Sequence, residues 1–157
     1  MARTEGSAVF VDTNILIYAA LRQSPLNPQA KERLKRLGEQ GAALWISRQV
    51  IREFLAVMTR SPELVEEVPL EALLELVHYL EVHFLVADEG PHVTARLLEL
   101  MERIPIHGKQ VHDANVVATM LAYDVPNLLT HNTADFARYR DLIAVLPLES
   151  NSRIPRP

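Results

Sequence analysis

The sequence contains no cysteine, and this absence removes several kinds of chemistry at once. Disulfide bonds, zinc sites built on thiolates and cysteine nucleophiles are all excluded. A chain without disulfides is compatible with a reducing compartment. Aromatic residues make up only 6% of the chain, so aliphatic side chains must fill most of the core.

Long apolar runs are also missing. No stretch reaches the length that a membrane-spanning helix needs, and the N-terminal residues lack the apolar core of a signal peptide. The sequence therefore predicts a soluble, cytoplasmic protein that does not act at a membrane. The net charge of −4 argues against a strong sequence-independent grip on nucleic acid, although a few arginines can still bind nucleic acid locally.

The 157 residues are 48% hydrophobic, which is enough for one domain with a sizeable core. Short apolar segments alternate with helical ones, and this order is typical of an α/β domain whose parallel sheet is covered by helices on both faces. We assign residues 1–150 to that domain and residues 151–157 to a flexible C-terminal tail. Strands are predicted at 8–11, 43–46, 84–87, 128–130 and 143–146, and helices at 14–21, 27–41, 47–59, 69–81, 91–103, 111–123 and 134–140.

Two acids follow predicted strands. Asp12 stands where the apolar run AVFV ends, and Asp135 closes the polar run THNTAD after the fourth strand. Ligands of parallel α/β sheets bind at the carboxyl ends of strands, so both positions are candidates for a site. Taken alone, Asp12 could equally cap the next helix, and Asp135 could form a surface ion pair with Arg138.

Two further acids lie on predicted helices. Glu53 falls at the edge of the apolar stripe of its helix, and no basic residue stands three or four positions away. Such a glutamate is usually only solvated. Asp113 lies inside an apolar arc, whereas the polar residues of that helix (His112, Asn115 and Thr119) lie on the other face. Because burying an unpaired carboxylate is costly, Asp113 needs either the helix amino end or another partner.

Together the four acids favour a metal site, since all of them can converge on one cleft at the carboxyl edge of the sheet. Clustered carboxylates raise one another's pKa, and a divalent cation removes that repulsion. Oxygen ligands without cysteine suit Mg²⁺ or Mn²⁺. A histidine zinc site is disfavoured, because none of the six histidines has the HExxH spacing.

With these residues in this order, the sequence resembles the PIN-domain ribonucleases, most closely the VapC-type toxins of toxin–antitoxin pairs. The resemblance rests on VDTNILIY, the helix around Glu53, VHDANVVATM and LLTHNTADF, and it extends from about residue 9 to residue 148. It implies a five-stranded parallel sheet in the order 3-2-1-4-5. By position, Asp12, Glu53 and Asp113 match the core acids of the family, and Asp135 matches its fourth, more variable acid.

The resemblance also implies an activity and partners. The activity is Mg²⁺-dependent hydrolysis of RNA phosphodiester bonds, with one or two ions (Mn²⁺ being the alternative) held among the four acids. The partners are a second copy of the chain and an antitoxin that lies across an apolar groove, which we place near residues 48–82. Supporting roles fall to the turn residues Thr13 and Asn14 and to the loop residues Asn132 and Thr133. Candidate contacts to RNA phosphate are Arg22, Arg48 and Arg138.

Several other functions are compatible with some of these residues. Within the same family, an RNA-processing nuclease without an antitoxin and a non-catalytic binding module both remain open, although the presence of all four acids favours an enzyme. A haloacid-dehalogenase-like phosphatase would need a second aspartate where Asn14 stands. A Rossmann nucleotide-binding enzyme would need glycines in the turn after the first strand, and DTNIL has none.

Overall fold

Residues 7–149 are described by a computed structural model, in which five parallel strands form one sheet. The spatial order of the strands is β3-β2-β1-β4-β5, which confirms the predicted fold. The tail predicted at 151–157 lies outside the described residues. The strands are β1 (Ala8–Val11), β2 (Ala43–Ser47), β3 (Leu85–Ala87), β4 (Asn127–Thr130) and β5 (Ala144–Pro147).

Helices connect the strands and cover the sheet. A short helix was predicted at 134–140, and the structure has a 3₁₀ helix there, at Thr133–Tyr139. None of the helices within residues 7–149 combines the length and the apolar character that crossing a bilayer requires. The helices are α1 (Thr13–Ala20), α2 (Asn27–Glu39), α3 (Arg48–Met58), α4 (Pro62–Glu67), α5 (Leu70–His83), α6 (Pro91–Arg103) and α7 (Gln110–Ala122).

The short helix α4 is missing from the sequence prediction. Its six residues are too few to show a helical period, but its start carries the usual signals. The Ser61 hydroxyl accepts a hydrogen bond from the backbone N–H of Leu64 at 3.4 Å, and Pro62 occupies the first turn. The connection between α3 and α5 is therefore partly helical.

Strand β1 lies at the centre of the sheet, and Val9, Phe10 and Val11 are completely buried there. Such burial on both faces is what a continuous apolar run in a parallel sheet predicts. On one side β1 pairs with β2, and on the other it pairs with β4, with Val11 opposite Leu129. The residue after β1, Asp12, and the last residue of β4, Thr130, are therefore neighbours at the point where the strand order reverses.

Helix α7 is buried on most of its surface, so the predicted division into an apolar and a polar face was too simple. Thr119 is only 1% exposed, and its hydroxyl donates to the backbone oxygen of Asn115 at 2.7 Å. The Asn115 side chain faces α3 and donates to Gln49. The polar residues of α7 thus make contacts inside the protein as well as with solvent.

Candidate active site

Asp12 is both the N-cap of α1 and the residue that ends β1. Its backbone N–H continues the strand ladder to the carbonyl of Leu129 at 3.0 Å, while its Oδ1 accepts the N–H of Thr13 at 2.8 Å. Its Oδ2 accepts the hydroxyl of Thr130 at 2.7 Å. The capping role that the sequence left open is therefore present, and it holds the carboxylate at the sheet edge without excluding a functional role.

Burial raises the pKa of the Asp12 carboxyl above its usual value. The hydrogen bonds from Thr130 and Thr13 act in the opposite direction because they stabilise the ionised form, and the nearby charges of Glu53 and Asp135 raise the pKa further. The ionised form of Asp12 is thus stabilised by two hydrogen bonds and destabilised by burial and by the neighbouring acids.

Asn14 and Thr130 join the first turn of α1 to the end of β4. The Asn14 amide lies 3.5 Å from Asp12 Oδ2 and donates to Thr130 Oγ1 at 3.3 Å, and Asn14 Oδ1 accepts the N–H of His131 at 3.3 Å. Thr130 Oγ1 also accepts the N–H of Asn132 at 3.1 Å. These contacts place Asn14 and Asn132 in one network with Asp12 and Thr130, and their supporting roles stay predictions.

Glu53 lies on α3, contacts the start of α1 and is partly buried. Its Oε2 accepts the Thr13 hydroxyl at 2.9 Å, and its Oε1 accepts the Gln49 amide at 2.8 Å. Thr13 therefore contacts two of the four acids, Asp12 through its backbone and Glu53 through its side chain. No ion pair involves Glu53 within residues 7–149, in line with the absence of a basic residue three or four positions away in its helix.

Asp113 occupies the first turn of α7, as predicted. Burial raises the pKa of its carboxyl to about 6, and the charges of Asp12, Asp135 and Glu53 add to that rise, whereas His112 opposes it. Each of the other three acids acts electrostatically on Asp113. The structure therefore brings the four acids into one region at the carboxyl edge of the sheet.

The four carboxylates suit a hard divalent cation by donor type and charge, because all their donors are oxygens and their repulsion is unrelieved. They do not form a ready-made cage, since no group of three or more His, Asp or Glu side chains within residues 7–149 has the geometry of a metal site. A cation would have to draw these carboxylates closer together. The residues fit the metal in their chemistry, and binding requires side-chain adjustment.

The arginines predicted to contact phosphate mostly have protein partners. Arg48 pairs with Asp88 at 3.1 Å and with Glu81 at 3.4 Å. Arg138 does not form the ion pair with Asp135 that the spacing allowed. Its guanidinium donates instead to the carbonyl of Pro105 at 2.8 Å and to the Gln110 side chain.

Arg22 and Thr133, which were also predicted as site residues, lie near the ends of α1 and β4. Arg22 is exposed just after α1 and keeps its guanidinium in solvent. Thr133 begins the 3₁₀ helix that carries Asp135. The phosphate contacts of the three arginines and the supporting role of Thr133 stay predictions.

Three side chains of the network are absent from the sequence prediction, namely Thr130, Gln49 and Asn115. Thr130 could have been found from the strand order, because the register that pairs Val11 with Leu129 places the last residue of β4 beside Asp12. Gln49 stands four residues before Glu53, a spacing that places both on one helix face. Nothing local marks Asn115, since its partner belongs to another helix.

The family model of the PIN domain matches residues 9–142. The chain belongs to the PIN domain family. The comparison with curated proteins finds no match.

Solved structures of toxin–antitoxin systems share the fold of this PIN domain. A chain of VapBC2 from Rickettsia felis, bound to a DNA fragment from its promoter, is 19% identical with a TM-score of 0.65 over 89% of this chain and 98% of that one. A toxin–antitoxin complex from Klebsiella pneumoniae is 23% identical, with a TM-score of 0.62 over 92% and 99%. VapC20 from Mycobacterium tuberculosis, a Sarcin-Ricin loop cleaving toxin, is 18% identical, with a TM-score of 0.56 over 76% and 86%. At these identities the likeness concerns the fold.

Replacing Thr130 by valine tests how Asp12 is held. Thr130→Val keeps the shape but removes the hydroxyl, so we expect a loss of about 1–3 kcal/mol in the free energy of unfolding at pH 8. The loss should be smaller at pH 4 than at pH 8, because protonation of Asp12 as the pH falls removes the charge that this hydroxyl stabilises. Denaturant unfolding measures both values. Thr130→Ser, which keeps the hydroxyl, is the control, and an equal loss in both variants would refute the role of the bond.

The raised pKa of Asp113 predicts a pH dependence of the metal-free protein. The folded protein binds this proton up to about pH 6, whereas the unfolded chain releases it near the ordinary value of 3.8, so stability is lost as the pH rises through that window. In EDTA, Asp113→Asn should therefore gain stability over the parent by about 1–2 kcal/mol more at pH 8 than at pH 4, after a discount for partial exposure. Asp141→Asn, an exposed aspartate, is the control, and parallel pH curves for parent and Asp113→Asn would contradict the prediction.

Proposed function

We propose that this PIN domain is a metal-dependent endoribonuclease, and that it is the toxin of a type II toxin–antitoxin pair. The observation that carries the proposal is the gathering of Asp12, Glu53, Asp113 and Asp135 at the switch point of the sheet. Four mutually repelling carboxylates destabilise the protein, and a structural role does not explain why they share one place. A bound cation would explain it, because its positive charge offsets their repulsion.

In this proposal the four carboxylates hold one or two Mg²⁺ ions, or Mn²⁺ in their place. The cation supplies charge that offsets the phosphate and lowers the pKa of water. Asp12 is kept at the edge of the sheet by the Thr13 N–H and the Thr130 hydroxyl. Without a cation the acids repel an RNA phosphate, so the same residues that would hold the metal keep the substrate out of a metal-free site.

No protein nucleophile is required for such a hydrolysis, and the absence of cysteine is compatible with that. The substrate is RNA in this proposal, supported by the Sarcin-Ricin loop cleaving toxin VapC20, whose fold the chain shares. The predicted phosphate contacts would come from Arg22, which is exposed, and from Arg48 and Arg138. Arg48 would first have to leave Asp88, and Arg138 the carbonyl of Pro105.

The proposal includes a second copy of the chain and an antitoxin as partners, since several neighbours of the same fold are toxin–antitoxin complexes. An apolar groove of about 520 Å³ lies between α1, α2 and α5, and we place the antitoxin chain there. Only the α3 and α5 side of this groove falls within the predicted stretch 48–82, and the other side belongs to α1 and α2. Its lining includes Leu16, Leu34, Phe54, Leu76 and Tyr79.

Cleavage of varied RNAs by the parent protein and by Asp12→Asn tests the nuclease. With Mg²⁺ the parent should cut, and Asp12→Asn should be at least ~100-fold slower, because the loss of one carboxylate ligand removes several kcal/mol of charge stabilisation. EDTA should stop the parent. Asp141→Asn makes the same chemical change at an exposed position and should cut like the parent.

Two outcomes would overturn the proposed metal-dependent nuclease activity. A parent protein that leaves all RNAs intact with Mg²⁺ favours the non-catalytic module, and cleavage that persists in EDTA removes the metal from the proposal.

Expression in a bacterial host separates a toxin from an RNA-processing nuclease. The parent and Asp141→Asn should arrest growth, whereas Asp12→Asn should not, since arrest requires RNA cleavage. Colony counts after induction measure the effect, with protein levels compared on blots. Normal growth with an active, well-expressed parent enzyme would argue for the processing nuclease.

A further inference from the structure

Gln49 is a buried amide beside Glu53 that the carboxylate cluster itself does not require. It is 6% exposed, although it lies in the first turn of α3. The packing of α3 comes from Val50, Ile51 and Phe54, which are all buried. An apolar side chain at position 49 would avoid the cost of burying an amide. The contacts of Gln49 show what the amide does instead.

Every polar atom of the Gln49 side chain has a partner. Its Nε2 donates to Glu53 Oε1 at 2.8 Å and to the carbonyl oxygen of His112 at 3.0 Å, and its Oε1 accepts the Asn115 amide at 2.7 Å. Turning the Gln49 amide over would set its oxygen against two acceptors. The acceptors Glu53 and the His112 carbonyl therefore select the orientation in which Gln49 donates to Glu53, and Asn115 supplies the matching donor to its oxygen.

The backbone of Gln49 is held as well. Its N–H donates to Glu89 Oε1 at 3.0 Å, and the other oxygen of Glu89 pairs with Arg52 at 3.3 Å. Glu89 belongs to the loop between β3 and α6 and is only 14% exposed. The start of α3 is thus tied to that loop by its main chain and to α7 by the Gln49 side chain.

We infer that Gln49, oriented by the His112 carbonyl and Asn115, is a positioning residue that fixes the Glu53 carboxylate for the cation and sets its place relative to α7, which carries Asp113. This inference rests on the proposed metal site. Thr13 holds one oxygen of Glu53 and Gln49 holds the other, so the carboxylate cannot rotate freely. A carboxylate has about four acceptor positions, and two hydrogen bonds leave two for a metal ion.

Mn²⁺ binding by isothermal titration calorimetry, without RNA, tests the inference. Gln49→Met removes the amide and keeps an unbranched side chain, so Mn²⁺ should bind ~10-fold more weakly, the usual effect of losing a partner that orients a metal ligand. Gln29→Met is the matched control on the exposed face of α2 and should bind like the parent. Asn115→Leu should weaken binding in the same direction by a smaller factor.

A double variant distinguishes positioning from a general effect on the fold. In the Glu53→Gln background, Gln49→Met should change the Mn²⁺ affinity less than ~2-fold, because its route to the metal has been removed. Equal losses in both backgrounds would overturn the inference, as would a Gln49→Met protein that binds like Gln29→Met. If Gln49→Met does not fold by circular dichroism, Asn115→Leu carries the same comparison.

The outcome is separable from that of the proposed function. A parent protein that binds Mn²⁺ but cuts no RNA would overturn the proposed nuclease activity. The role of Gln49 would then be decided by the Mn²⁺ affinities alone. A parent that binds no Mn²⁺ at millimolar concentration overturns the inference about Gln49 together with the metal part of the proposed function.

Discussion

The buried carboxylate of Asp12 is the constraint on which the rest of the site depends. Because β1 is buried on both faces, the residue that ends it has a fixed position and little water to solvate its charge. The nearest elements provide that solvation instead, through the N–H of Thr13 and the hydroxyl of Thr130. The strand order that places β4 beside β1 is what makes the second of these contacts available.

The distribution of positive charge leaves this site acidic. Helix α3 carries two arginines before Glu53, but Arg48 pairs with Asp88 and Arg52 pairs with Glu89, away from the cluster. Glu53 receives only neutral donors, a hydroxyl and an amide. An arginine in their place would neutralise the carboxylate and compete with a cation for it. Neutral donors fix the geometry while the negative charge stays available to a metal ion.

What the sequence could predict follows from the range of each interaction. The strands and long helices depend on local patterns, and their predicted positions are confirmed, whereas α4 is too short to show a period. Asp12 and Asp135 were found because strand ends are visible in the chain. The strand order came from the family resemblance. Asn115 was beyond reach because its role depends on how α7 packs against α3, and no pattern within either helix encodes the contact with Gln49.

The four acids differ in how firmly they are held, and in the proposed metal site this difference would let a cluster without a ready-made cage take up a cation. Asp12 continues a strand, and Glu53 has a donor on each oxygen. Asp113 is partly buried in the first turn of a helix, whereas Asp135 is exposed in a 3₁₀ helix, whose hydrogen bonds have poorer geometry. In that proposal Asp12 and Glu53, the two firmly held acids, would define the position of the ion. The exposed acid can then move toward it at the lowest energetic cost, because few contacts have to be broken.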